Sequence, residues 1–131
     1  MMDFTIGALV VLGGLIGGST RFVVSDVVGR KLGVTFPWGT LVVNVSGTLV
    51  IGVFAGLACL PGGPLESASA HAFVVTGLLG GYTTVSSFSL QTLNLLLSDK
   101  TALAALNVAA HTILPPLAVA GGYDAVGWLA A

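Results

Sequence analysis

Residues 80–91 read Gly-Gly-Tyr-Thr-Thr-Val-Ser-Ser-Phe-Ser-Leu-Gln, with five hydroxyl side chains inside seven positions. Hydroxyls and freed backbone N–H groups can solvate an anion, and freed carbonyls can hold a small hard cation. This is the chemistry of an ion losing its water, not of a bond being cut. A glycine pair weakens a helix by about 1 kcal/mol per residue relative to alanine. Here the pair is followed by β-branched Thr83, Thr84 and Val85. The alternative is an unbroken helix whose Ser and Thr side chains bond back to carbonyls one turn earlier. A second polar residue, Asn44, lies in Gly-Thr-Leu-Val-Val-Asn-Val-Ser-Gly over residues 39–47. Its amide carries two N–H donors and one acceptor, suited to an interhelical hydrogen bond or to an anion in a dry passage.

Both stretches sit inside long uncharged runs. Residues 39–60, 71–97 and 101–123 are uncharged over 22, 27 and 23 positions, and a bilayer-crossing helix needs about 20. Residues 4–20 form a fourth run, interrupted afterwards by Arg21 and Asp26. The expected fold is an all-α membrane protein, one domain over residues 1–131. Its four transmembrane helices are expected at about 4–28, 39–60, 71–97 and 101–123. The glycine–hydroxyl stretch falls at the centre of the third span, which is therefore expected to be broken at mid-membrane depth. Non-helical backbone at that depth must be buried in protein or line a watery cavity. The links at 29–38, 61–70 and 98–100 are short, so the helices run up-down-up-down. Transmembrane strands would alternate in polarity over about ten residues; these runs are apolar on every face.

Composition removes the competing classes. Of 131 residues, 55% are hydrophobic and 7% charged, against about 25% charged in soluble domains. Mean hydropathy is +1.04. A soluble enzyme or a disordered chain is excluded on that ground. Four Lys and Arg residues supply no basic stripe for a nucleic acid. The single Cys59 allows neither an internal disulfide nor a Cys-cluster metal site. No Ser/His/Asp set or nucleotide loop is visible, so no enzyme is expected. No basic region precedes the first apolar run, which does not resemble a cleaved signal peptide.

Nineteen glycines are spread through the spans, with small-xxx-small spacing at Gly13/Gly17, Gly14/Gly18 and Gly52/Gly56. In lipid such residues bring helix backbones close, either within one chain or against a second. Four thin helices seldom enclose a solute route, so a dimer is the simplest way to build one.

Taken together, three stretches in this order resemble the CrcB/Fluc fluoride channels. The first is Gly-Gly-Leu-Ile-Gly-Gly-Ser-Thr-Arg-Phe over residues 13–22, and the second is Pro-Trp-Gly-Thr-Leu-Val-Val-Asn over 37–44. The third, residues 80–89, follows a Gly-Gly-x-Thr-Thr-Phe-Ser-x-Phe-Ser pattern at every position but one. The resemblance spans nearly the whole chain. It implies an antiparallel (dual-topology type) dimer in the cell inner membrane, with two narrow fluoride pathways. It also implies a structural, untransported Na⁺ at the dimer centre, held by the carbonyls of Gly80 and Thr83. Asn44 would line the pathway, and Phe88 would be the second of two phenylalanines contacting fluoride. The hydroxyls of Thr84, Ser86 and Ser87 and the amide of Gln91 complete the expected pathway. Flow would be passive and outward, clearing fluoride that entered as HF. The physics suits these residue types: an aromatic ring has a positive edge that can meet an anion, and weak multi-site binding favours conduction. Arg21 then belongs in a vestibule, or pairs with Asp26.

Several positions depart from the family pattern. Val85 stands where the first phenylalanine is expected, with Tyr82 nearby as a partial substitute. Gln91 replaces a frequent Glu. Asn107 and His111 replace an expected Tyr and Ser one turn apart on the fourth span. His111 is either a buried neutral residue satisfied by Asn107 or a pH-sensitive group of the pore. Arg30, Lys31 and Lys100 fall on one side of the membrane, with Arg21 near the same face, whereas both termini and the 61–70 link share a side without Lys or Arg. The positive-inside rule puts the termini outside. This bias leaves two partners open: a second copy, or an oppositely oriented paralogue that keeps the missing phenylalanine. A small proton-coupled exporter of the small multidrug-resistance type is the competing function. It needs a membrane-embedded carboxylate in the first span, and residues 4–20 contain none.

Overall fold

The structure, a computed structural model, describes residues 4–60, 65 and 67–130. The remaining residues of the expected 61–70 link lie outside the described residues. Helix α1 (Phe4–Leu32) spans 29 residues, α2 (Trp38–Ala58) 21 and α5 (Thr101–Ala130) 30. The third span comprises α3 (residues 68–82) and α4 (Ser86–Leu97). Among the described residues there is no strand, and all four spans are long and apolar enough to cross a membrane. The protein is a four-span, multi-pass membrane protein.

The helices overrun the expected ends, to Leu32 instead of 28 and to Ala130 instead of 123. The second ends at Ala58, two residues short of the expected 60, and the third begins at Ala68 instead of 71. Hydropathy marks where side chains turn apolar, whereas a helix satisfies its own backbone and continues past that point until a terminator intervenes. At α1 that terminator is Gly33, whose φ of +94° is favourable for glycine. Its N–H returns to the Gly29 carbonyl at 3.0 Å. The tight 98–100 turn is present as expected. Asp99 adopts φ 56°, and Lys100 N–H reaches the Leu95 carbonyl at 2.9 Å in a Schellman closure.

Packing follows two glycine seams. A Cβ on Gly13 would lie 2.8 Å from Leu78 N, and one on Gly81 would lie 2.7 Å from Gly14 O. This seam joins α1 to α3. A Cβ on Gly52 would collide with the Val119 backbone, and one on Gly56 would lie 2.8 Å from Val126 Cβ, so the second seam joins α2 to α5. Gly13, Gly17, Gly52 and Gly56 thus make close contacts within one chain, whereas a Cβ on Gly14 or Gly18 would meet only a carbonyl oxygen at 3.9 Å. Beyond them α2 touches α1, and α4 lies on α5. Large apolar side chains such as Phe22, Leu15 and Leu117 face outward, as a lipid-facing surface requires.

Candidate ion pathway at the broken third span

The break expected in the third span is present. Residues Ala72–Leu79 are wound as a π-helix, in which Gly80 N–H reaches the Val75 carbonyl. Such winding is uncommon and was not expected from the sequence. A last turn, Gly80–Tyr82, then gives way to an extended Thr83 (φ −76°, ψ 156°). Helix α4 restarts at Ser86.

Asn44 on α2 holds the break open. Its Nδ2 donates to the Thr84 carbonyl at 2.8 Å, and its Oδ1 accepts from Thr84 N–H at 2.8 Å. Both residues are buried. In an unbroken helix Thr84 N–H would serve the Gly80 carbonyl; Asn44 takes that donor instead. The side chain of Thr84 then caps α4. Its Oγ1 accepts from Ser87 N–H at 3.2 Å, contacts Ser86 Oγ at 3.2 Å, and donates to Ser87 Oγ at 3.2 Å. The Ser87 hydroxyl hydrogen and the second N–H of Asn44 are left over as donors.

Cavities lie on both sides of this joint. One of about 520 Å³ is lined by Asn44, Gly80, Thr83, Thr84, Val85, Phe88 and His111, with Thr48, Thr112 and Pro115. Another, of about 360 Å³, is bordered by Thr84, Ser87, Gln91, Thr40 and Arg21. Thr84 belongs to both walls. The second cavity shares Ser25, Thr40 and Gln91 with a third, about 370 Å³, that reaches Asn94, Ser98 and Lys100 at the membrane face. The three form a file from the Lys100 end of the bundle to the break and past it.

Most of the expected residues fall along this file. Asn44, Thr84, Phe88, Gly80 and Thr83 line the inner cavity, and Ser87, Gln91 and Arg21 line the middle one. Arg21 borders the middle cavity, as a vestibule residue would. The pairing of Arg21 with Asp26 is corrected, because Asp26 Oδ2 is held by Arg30 at 2.7 Å, one turn on. Tyr82 turns the other way: its hydroxyl meets Ser46 Oγ at 3.0 Å, and its ring packs where Gly47 leaves room. It borders none of the three cavities. Ser86 contributes through Thr84 only. Val85 is 75% exposed on the inner cavity's rim. Asn107 is fully buried, with Nδ2 donating to Thr92 Oγ1 at 2.8 Å and Oδ1 unpartnered. His111 meets Asn107 through the main chain: its Nδ1 lies 3.1 Å from the Asn107 backbone carbonyl, and its ring stacks on Phe88 with centroids 4.6 Å apart.

Sequence reasoning missed the prolines. Pro115 and Pro116 lie inside α5. Lacking N–H groups, they leave the carbonyls of His111 and Thr112 without their helical donors. Two prolines inside an apolar run were the available signal.

A family profile described as CrcB-like protein, Camphor Resistance (CrcB), matches residues 8–123. The chain belongs to the CrcB family. Among its relatives, "Fluoride-specific ion channel FluC 4" of Brucella abortus biovar 1 (strain 9-941) is 51% identical over 128 residues, covering 98% of this chain and 96% of that one. "Fluoride-specific ion channel FluC 3" of Brucella suis biovar 1 (strain 1330) is 50% identical with the same coverage. "Fluoride-specific ion channel FluC" of Opitutus terrae is 49% identical over 116 residues, 88% of each chain. The CrcB match contains both the Asn44 clamp and the 80–91 break.

Proposed function

We propose that this chain is one protomer of a fluoride-selective channel of the cell inner membrane, which lets cytoplasmic fluoride leave passively. It is not an enzyme. The observation that carries the reading is the break itself, held open at mid-span by Asn44 and opening on a file of cavities. The fluoride specificity named for relatives about half identical across nearly their whole length supports it.

The chain's own groups suit a small, strongly hydrated anion. Arg21 stands in the vestibule cavity, where a charge attracts anions without occupying the narrow part. The Ser87 hydroxyl and the spare Asn44 N–H follow as neutral donors, and Phe88 borders the inner cavity. Neutral donors in series replace water without trapping the ion.

A structural Na⁺ fits the same break. The Gly80 carbonyl has lost its helical donor to Asn44, Thr83 is extended, and both residues line the inner cavity. Two carbonyls from one chain are fewer oxygens than a bare cation needs, so a second chain would complete the set. Bound there, the ion would supply a fixed positive charge that ties two protomers together. The dimer is antiparallel, made with a second copy or with an oppositely oriented paralogue. The bias of Arg30, Lys31 and Lys100 to one face favours the paralogue.

The test is fluoride efflux from liposomes holding the purified chain, alone and with a neighbouring paralogue, followed by a fluoride electrode. Efflux of fluoride but not chloride is expected. Efflux by the chain alone would remove the need for a paralogue. Proton-coupled export of organic cations without fluoride efflux would overturn the channel reading.

A further inference from the structure

Phe88 is tied to α5 twice, and Asn107 stands behind both ties. The backbone tie runs through Thr92: Asn107 Nδ2 donates to Thr92 Oγ1 at 2.8 Å, and Thr92 Oγ1 donates to the Phe88 carbonyl at 2.8 Å. The ring tie runs through His111. Its Nδ1 lies 3.1 Å from the Asn107 carbonyl, which only accepts, so that nitrogen carries the proton. The imidazole held in this way lies along the Phe88 ring, with centroids 4.6 Å apart and planes 29° apart. Asn107 is fully buried, so both ties start from a fixed point in the contact between α4 and α5. A neutral imidazole is enough for this arrangement; no charge on it is called for.

The faces of a phenyl ring carry the negative part of its quadrupole and repel an anion, whereas its edge attracts one. Phe88 is the only Phe, Tyr or Trp lining the inner cavity, so the orientation of this single ring sets what the cavity offers an ion. The imidazole covers one face of that ring, and a quarter-turn of the ring would break the stack. We propose that His111 is a positioning residue for Phe88: its flat neutral ring holds the phenyl ring in one orientation and closes one repelling face to the ion. The inference rests on the fluoride reading above and deepens it, since the contact assigned there to Phe88 then depends on a flat ring at position 111.

Four variants test it. His111→Leu and His111→Gln remove the flat ring and keep similar bulk, whereas His111→Phe and His111→Tyr keep a flat ring without the imidazole. The Asn107 carbonyl retains its helical donor, the backbone N–H of residue 111, in all four. The measurement is the half-saturating fluoride concentration for efflux from liposomes near neutral pH, which, unlike total flux, does not depend on how much of the protein folds. It is expected to rise about threefold or more in both ringless variants, the scale of one aromatic pair, and to return to within about twofold of wild type in at least one aromatic variant. Loss of all efflux in the ringless variants with recovery in an aromatic one would support the inference equally. An unchanged half-saturating concentration in either ringless variant would overturn it and leave the channel reading standing. So would a rise or loss that neither aromatic variant reverses, because the imidazole nitrogens and not the stack would then matter. Absence of fluoride efflux from the wild-type protein would overturn both.

Discussion

Replacing Asn44 with alanine separates two roles that a pore-lining amide can have. Asn44 makes two 2.8 Å hydrogen bonds to the backbone of one residue, Thr84, which is 8% exposed. The variant leaves a buried N–H and a buried C=O without partners. Orphaning a buried group costs about 1–3 kcal/mol in soluble proteins, whereas interhelical side-chain bonds in membranes average about 0.6 kcal/mol and reach about 1.7. The membrane figures are lower because freed groups usually find new partners. Here Thr84 N–H can do so only by returning to Gly80 and closing the break, which would destroy the cavity wall. The expected loss is therefore near the top of the membrane range for each bond, about 2–3 kcal/mol in total. Reversible unfolding in detergent–lipid micelles measures it, beside fluoride efflux, which should fall at least about tenfold, a change worth about 1.4 kcal/mol. Thr20→Ala removes only a hydrogen bond inside α1, to the Ile16 carbonyl, and should stay within about 0.5 kcal/mol of wild type. Efflux lost in Asn44→Ala with unchanged stability would refute the clamp and leave Asn44 as an ion ligand alone.

Three further outcomes are expected. Thr84→Ala removes the cap on α4 and should cost about 1 kcal/mol and reduce efflux, while Thr84→Ser restores both. Gly17→Ala drives a methyl group into the Leu78 backbone and should destabilise the fold by about 1–3 kcal/mol; Gly7→Ala, inside α1 with nothing within 4 Å, should be neutral or stabilising by up to about 1 kcal/mol in the same unfolding assay. Val85→Phe puts a ring edge on the rim of the inner cavity and should raise fluoride efflux by the chain alone several-fold. Unchanged or lower efflux would show that one ring is enough.

Much of the architecture was legible before any coordinates. In lipid a backbone must satisfy itself, so long uncharged runs can only be helices, and four such runs give four spans. A glycine pair ahead of β-branched and hydroxyl residues marked where the third would fail. The helix ends were less legible, because apolarity stops before hydrogen bonding does. The π-winding of Ala72–Leu79 left no trace in composition, and Pro115 and Pro116 were a readable signal that went unread.

The amino-acid sequence by itself determined the class of protein, the number of crossings and the weak point of the third, since each depends on local composition and backbone propensity. Only the tertiary structure decided which partner each polar group took. Asn44 and Thr84 are 40 residues apart, and nothing local says that one amide will meet both backbone groups of the other residue. The same holds for Tyr82 turning to Ser46, Asp26 choosing Arg30 over Arg21, and the His111 ring stacking on Phe88. Hydrogen bonds are short-ranged and directional, so their pairing is settled where helices cross and the glycine seams set the distance.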